Sequence, residues 1–388
     1  MEERDGSPAI VAYTNPFRFV YRDENEEWDP DLDDVNDNNY DYVKLHRLST
    51  SFDIGLDSPL CLHIGFNGSL ILPYIPRYHP IDKAVHDLNE FLGELLLGGV
   101  YSEAVYPRDL NRGIVYQTGY FRSFGGAQGA SSQIHQTLQG KVASPVHSIL
   151  LIDPEYVLAE EMHDARKSGK AVSDRIESLS VELVLRGVTG YVGRAWAEAL
   201  THLWIGIEQI VSLMWNENFV DGGITPSVSI TGRQDFLNDV RTWTTSTRLE
   251  MIYQQSLIDD TTYQLLRRAK KARNDLVHEG EMPNQEEAEA ALDVLFRLIA
   301  VVCEEEVDHY DQMVDRYKSR DPIKPRESQS EVSSEDIDYW MGPLPPIPGE
   351  KEWGDDEYES VYPSDSGGHQ KSDPNQSSNN QGSEEEAP

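Results

Sequence analysis

The stretch TTYQLLRRAKKARNDLVHEG contains Arg273, Asn274 and His278, three side chains whose types suit phosphodiester chemistry. Imidazole titrates nearest to neutrality, so His278 fits a general acid/base that gives up and takes back a proton. A guanidinium binds phosphate through paired N–H groups and stabilises charge developing on a pentacoordinate phosphorus, a part open to Arg273. The Asn274 amide can orient the imidazole or a phosphate oxygen. At about 100° per residue, Asn274 and His278 share one helix face, whereas Arg273 is offset from His278 by roughly 140°. The arginine must swing round on its stem or meet a histidine from another subunit. Arg267, Arg268, Lys270 and Lys271 come just before and form the clearest candidate phosphate-facing patch of the chain. Taken alone, a basic run near a helix C-terminus is also what the helix dipole favours on a solvated face.

The elements that must position these residues read as helices. Thr262, Leu266, Ala269, Ala272 and Leu276 recur at spacings of three and four, and Gly280 with Pro283 supplies the stop. Asn284 and Glu287 form a capping-box start for a helix carrying Ala288, Ala291, Leu295, Leu298 and Val302. Upstream, Trp196, Leu200, Leu203, Ile207, Val211 and Met214 predict a further helix, with Glu208 on its flank. Residues 173–317 therefore read as an all-α bundle of four or five helices. Residues 42–168 read as an α+β domain. It has a hairpin about Asn67-Gly68 in LCLHIGFNGSLILPYI, a helix with Ala84, Leu88, Leu92 and Leu95 on one face, and β-like runs in GIVYQTGYF and HSILLID. Residues 1–41 are acidic and expected to be partly disordered. Residues 321–388 read as a disordered acidic Pro/Ser-rich tail, with Trp340, Trp353 and MGPLPPIPG as a conceivable docking peptide. The fold class is thus α+β, a mixed domain followed by a helical bundle.

Bulk composition limits the function. Asp and Glu number 68 against 33 Lys and Arg, a net charge of -35, which on average repels phosphate backbones. The charge fits either an acidic regulatory segment at each end or, given scarce lysine and charge spread over the chain, a salty cytoplasm. The two cysteines, Cys61 and Cys303, build neither a disulfide framework nor a zinc site. No charged-then-apolar leader and no membrane span is expected, so a cytoplasmic location is the default. His79, His86, His135, His147 and His163 show no metal-ligand spacing. No Walker loop, His-Glu-x-x-His or Gly-x-Ser-x-Gly motif occurs.

RGVTGYVGRAWAEAL, with Gly187, Gly190 and Gly193 after VELVL, looks like the phosphate loop of the short-chain dehydrogenase superfamily. The strands needed to complete that sheet are missing downstream. A small-residue helix joint is the better reading of these glycines.

From about Ser173 to Glu306 the chain resembles the HEPN superfamily, whose signature is Arg, four to six residues, then His, often with Asn after the Arg. Arg273, Asn274 and His278 fit that form, and LWIGIEQIV resembles the earlier family helix with a polar residue, here Glu208, in an apolar stripe. The Apea-like branch, with a β-containing domain before the bundle, is the nearest architecture. The resemblance implies metal-independent endoribonuclease chemistry with no cofactor. The ribose 2′-OH attacks the adjacent phosphate, leaving a 2′,3′-cyclic phosphate and a 5′-OH. His278 would be the general acid/base and Arg273 the phosphorane stabiliser, with Asn274 and Glu208 in support. It further implies an RNA substrate, a homodimer that lines one cleft with two Arg-His pairs, and a role in defence or as a toxin. A regulatory partner would act through the N-terminal domain or the tail. Gly280 stands where one toxin branch carries a modified tyrosine, so regulation by that route is not implied. The superfamily also contains non-catalytic binding modules, the alternative that the acidic charge favours.

Overall fold

A computed structural model describes residues 6–28, 30, 34–35, 39–124, 129–140, 154–221 and 230–320. The expected tail and the HSILLID run lie outside the described residues. Six strands form an antiparallel sheet in the order β3-β4-β5-β1-β6-β7: β1 Ser7–Ala12, β3 Leu48–Phe52, β4 Leu62–Gly65, β5 Leu70–Pro73, β6 Leu110–Val115 and β7 Phe121–Phe124. Separately, β2 Arg18–Tyr21 pairs in parallel with β8 Glu155–Leu158. Residues 1–41, expected to be loosely held, thus contribute β1, which sits between β5 and β6 at the middle of the sheet. The acidic run begins only at Asp23, and averaging over the segment hides the apolar AIVAY before it. Ile10 and Ala12 face one core cluster while Ala9, Val11 and Tyr13 face another, the period-2 alternation of a strand covered on both sides.

The Asn67-Gly68 hairpin forms between β4 and β5, with His63 opposite Ile71 and Ile64 opposite Leu70. Its loop is longer than a two-residue turn. Gly68 takes φ of +77° and Asn67 does not join it in the left-handed region. Asn67 is buried instead. Its Oδ1 accepts from the Ser69 hydroxyl at 2.6 Å, and its Nδ2 donates to His135 Nδ1 at 3.1 Å.

Ten helices are described: α1 Asp82–Leu97, α2 Ala130–Gly140, α3 Ala159–Arg175, α4 Val181–Val192, α5 Trp196–Trp215, α6 Arg233–Asn238, α7 Thr245–Gln254, α8 Asp260–Asn274, α9 Gln285–Cys303 and α10 Val307–Lys318. The chain is a mixed α+β fold whose C-terminal half is helical. Helix α1 lays Leu88, Phe91, Leu92 and Leu95 against the sheet and packs its other flank on α3 and α4. Gly98 and Gly169 permit that closeness, since a Cβ at Gly169 would fall 1.7 Å from the Glu94 carbonyl oxygen. Helix α9 is buried on nearly all sides by α5, α8 and α10, which makes it the axis of the bundle. One apolar cluster runs unbroken from Ile10 and Leu72 in the sheet to Leu295 and Tyr317 in the bundle. The boundary read between residues 168 and 173 falls inside α3.

Gly187 and Gly190 lie within α4, whose first turns are VELVL, and Gly193 is its C-cap. A Cβ at Gly187 would sit 2.7 Å from Leu203 Cγ of α5. These glycines join two helices, and no strand precedes them to make a dinucleotide loop.

Candidate functional site

Helix α8 is built by its own sequence. The Asp259 carboxylate accepts from the Thr262 N–H at 2.7 Å and starts the helix. Leu266, Ala269 and Ala272 are buried against the bundle. The 3.6-residue repeat then places Tyr263, Arg267, Lys270, Lys271 and Asn274 on a stripe beside α7. Between the two helices runs a groove of about 790 Å³, lined from α7 by Ser246, Leu249 and Glu250 and from α8 by that stripe with Arg268 and Asp275. All four basic residues read from the sequence are therefore in one groove.

Their charges are not equally free. Arg268 is paired with Glu286, and Lys271 lies 3.3 Å from Asp275. Arg267 lies 6.0 Å above the Tyr263 ring. Lys270 donates to the Ser246 hydroxyl. Burial and, secondly, the nearby Arg267 charge push the Lys270 ammonium below its ordinary value.

Next to the groove a smaller pocket of about 240 Å³ is lined by Trp204 and Glu208 of α5, Thr244, Thr245 and Ser246 at the start of α7, and Lys270, Arg273 and Asn274 of α8. Arg273 Nη1 donates to Asn274 Oδ1 at 3.2 Å. Thr244 caps α7 by accepting from the Thr247 N–H. The N–H groups of Thr245 and Ser246 have no intrahelical acceptor and carry the positive end of the helix dipole. The pocket therefore gathers two cationic side chains, an amide, hydroxyls and a helix N-terminus about one carboxylate, Glu208. That donor set suits a phosphate.

His278 lies elsewhere. It is exposed, in a π-turn over Asp275–Glu279 that continues α8, and Gly280 closes that turn with φ of +73°. Gly280 N–H returns to Leu276 O and Glu281 N–H to Asp275 O, each at 3.2 Å. A π-turn brings residues five apart to one side, where an α-helix brings residues four apart. Among the described residues, no hydrogen bond joins His278 to Arg273 or Asn274. The expected Gly280 stop is present, and so is the capping box, with Asn284 Oδ1 accepting from Glu287 N–H at 3.1 Å.

Sequence reading missed Trp204, Glu250, Tyr263 and the Thr244–Ser246 turn. Thr244 before a short helical run was an available N-cap signal. Trp204 sits in an apolar stripe and reads as core, and its buried Nε1–H has no hydrogen-bond partner. It also missed that His86, Glu90 and Glu182 bring their ligand atoms within 4.8 Å of one another. His86 Nδ1 is hydrogen-bonded to Glu182 at 2.8 Å, and Arg186 holds the other Glu182 oxygen at the same distance. No helix among the described residues is long and apolar enough to cross a membrane. No protein-family model, curated protein or solved structure matches this chain.

Proposed function

We propose that the chain is an endoribonuclease of HEPN type that cleaves RNA by internal attack of the ribose 2′-OH. The observation that carries the reading is the convergence of Lys270, Arg273, Asn274 and the α7 N-terminus on one pocket, at the end of a groove that holds Arg267, Arg268 and Lys271. In a chain of net charge -35, such a collection of donors marks where a phosphate backbone is accepted. The scissile phosphate sits against Arg273 and Lys270, which stabilise its dianionic transition state. Asn274 fixes a phosphate oxygen and accepts from Arg273, and Glu208 lines the same pocket. His278 transfers the proton between the 2′-OH and the leaving 5′-oxygen. None of these steps calls on a cofactor.

His278 is exposed and reaches the pocket of its own chain through no hydrogen bond, so the reading includes a homodimer in which a second copy completes the site. Val277 and Met282, both exposed, flank the histidine and offer apolar surface for that contact. A defence or toxin-like role and a cytoplasmic location belong to the same proposal.

The test is RNA cleavage in the presence of EDTA by the wild type, His278→Ala and Arg273→Ala, at low and molar salt. The expected outcome is EDTA-resistant cleavage with cyclic-phosphate ends, reduced by at least about 100-fold in each variant. Cleavage that persists in His278→Ala would overturn the assignment. The exposed and unpartnered His278 also favours a second reading, a non-catalytic binding or regulatory module. No cleavage of any RNA by a folded dimer would select it.

A further inference from the structure

The groove's other end carries features that phosphate binding does not use. Glu250 lines it among Arg267, Arg268, Lys270 and Lys271, yet has no ion-pair partner among the described residues. The other acidic lining residue, Asp275, is neutralised by Lys271. Glu250 is held instead by neutral donors: Gln254 Nε2 donates to its Oε1 at 3.0 Å, and the Tyr263 hydroxyl donates to its Oε2. The carboxylate is thus fixed in position and faces the cleft as an acceptor among cations.

Beside it is an aromatic platform. Tyr253 and Tyr263 stack with ring centres 4.2 Å apart and an interplanar angle of 14°. Tyr253 donates to Asp260 at 2.9 Å, so both hydroxyls are tethered. Tyr263 lines the groove, and the exposed Arg267 lies over its ring at 6.0 Å. A flat ring entering there would stack on Tyr263 below and the guanidinium above. From Tyr263 to Asn274 the helix rises about 16 Å at 1.5 Å per residue, so this platform is separated from the Arg273 pocket along one strand path.

We infer that Glu250, Tyr263 and Arg267 form a nucleobase subsite for guanine in single-stranded RNA, at a distance from the scissile phosphate. This rests on the ribonuclease reading above. A carboxylate is an acceptor only, and guanine alone among the four bases offers two adjacent donors, N1–H and N2–H, on its Watson–Crick edge. Adenine and cytosine present one exocyclic amine beside a ring acceptor that the carboxylate would repel, and uracil presents a single N–H between two carbonyls. The base stacks on Tyr263 while its edge meets Glu250, and the neighbouring phosphates lie along Arg268, Lys270 and Lys271. Single-stranded substrate is required, since a paired guanine has that edge occupied.

The experiment uses the full chain carrying His278→Ala, so that RNA stays intact, and fluorescein-labelled 9-mers of uridine with one central G, A or C. Fluorescence anisotropy measures Kd. The expected result is about tenfold tighter binding of the G oligomer, abolished by Glu250→Gln, which replaces one acceptor with a donor. Tyr263→Phe keeps the ring and frees the carboxylate, so it retains affinity with a reduced G preference. Tyr263→Ala weakens all three oligomers about tenfold, as expected from loss of stacking. Equal binding of the three oligomers by the parent, or a preference that survives Glu250→Gln, overturns the guanine subsite and leaves the ribonuclease reading standing. Binding of no oligomer by the folded protein overturns both.

Discussion

Lys270 is shared by the groove and the pocket, which singles it out among the basic side chains of α8. Lys270→Ala should weaken RNA binding to a similar degree for every sequence and reduce the slope of log Kd against log salt by about 1. A sequence-dependent loss in a salt titration would place Lys270 at a base instead. His135 governs a different property. Its ring is buried between Tyr13 and Phe17, with centroids 4.6 Å from each, and its Nε2 donates to the Thr14 carbonyl. Burial lowers its pKa from 6.5 to about 4. The folded state then binds the proton less readily than the unfolded chain does. Stability from this residue is complete above about pH 6.5, is lost as pH falls toward 4, and is level below. The loss amounts to about 3 kcal/mol. Raised carboxyls such as Glu103 and Asp293 act in the opposite sense, so a comparison isolates the histidine. Denaturation midpoints of wild type and His135→Phe at pH 7 and pH 5 should show a smaller acid loss in the variant.

At the scale of elements, two joints set the geometry. The π-turn after α8 depends on Gly280, whose φ of +73° is costly for a side-chain-bearing residue and which has open space around it. Gly280→Ala should therefore cost only about 1 kcal/mol in urea denaturation, while RNA cleavage falls further because His278 is re-aimed. A variant with unchanged cleavage would separate the turn from the chemistry. The crossing of α1 and α3 is less forgiving. Gly169 has no room for a methyl against the Glu94 carbonyl oxygen, which is backbone and does not yield by a rotamer change. Gly169→Ala should destabilise the fold by about 3 kcal/mol or more, measured by thermal melting, and spread the helices beside the sheet.

For the whole molecule, the continuous core and the acidic surface lead to separate expectations. Helix α1 covers α4, and the Tyr317 hydroxyl donates to the Leu96 carbonyl at 2.8 Å. A bundle of residues 173–317 expressed alone would lose those partners. It should bind a hydrophobic dye and lack a cooperative melting transition. A sharp transition would show that the bundle is self-sufficient. A net charge of -35 repels itself, and salt screens that repulsion. The melting temperature of the full chain should rise between low salt and 1 M salt, whereas RNA affinity should fall over the same range.

Local rules fixed those parts of the protein that depend on neighbours along the chain. The α8 stripe, the Asp259 and Asn284 starts, the Gly280 stop and the β4–β5 hairpin follow from 3.6- and 2-residue periods, cap chemistry and a glycine's freedom in φ. Tertiary structure decided what depends on distant residues. The composition of residues 1–41 concealed the central strand β1, because strand pairing with β5 and β6 outweighs an acidic average. The α7 N-terminus meets Arg273 only because α5 packs against both α7 and α8. Glu250 becomes a distinctive group only inside a groove of cations, since an exposed glutamate on an isolated helix carries no such meaning. Where His278 lies was also beyond the sequence, because regular helical geometry does not foresee a π-turn.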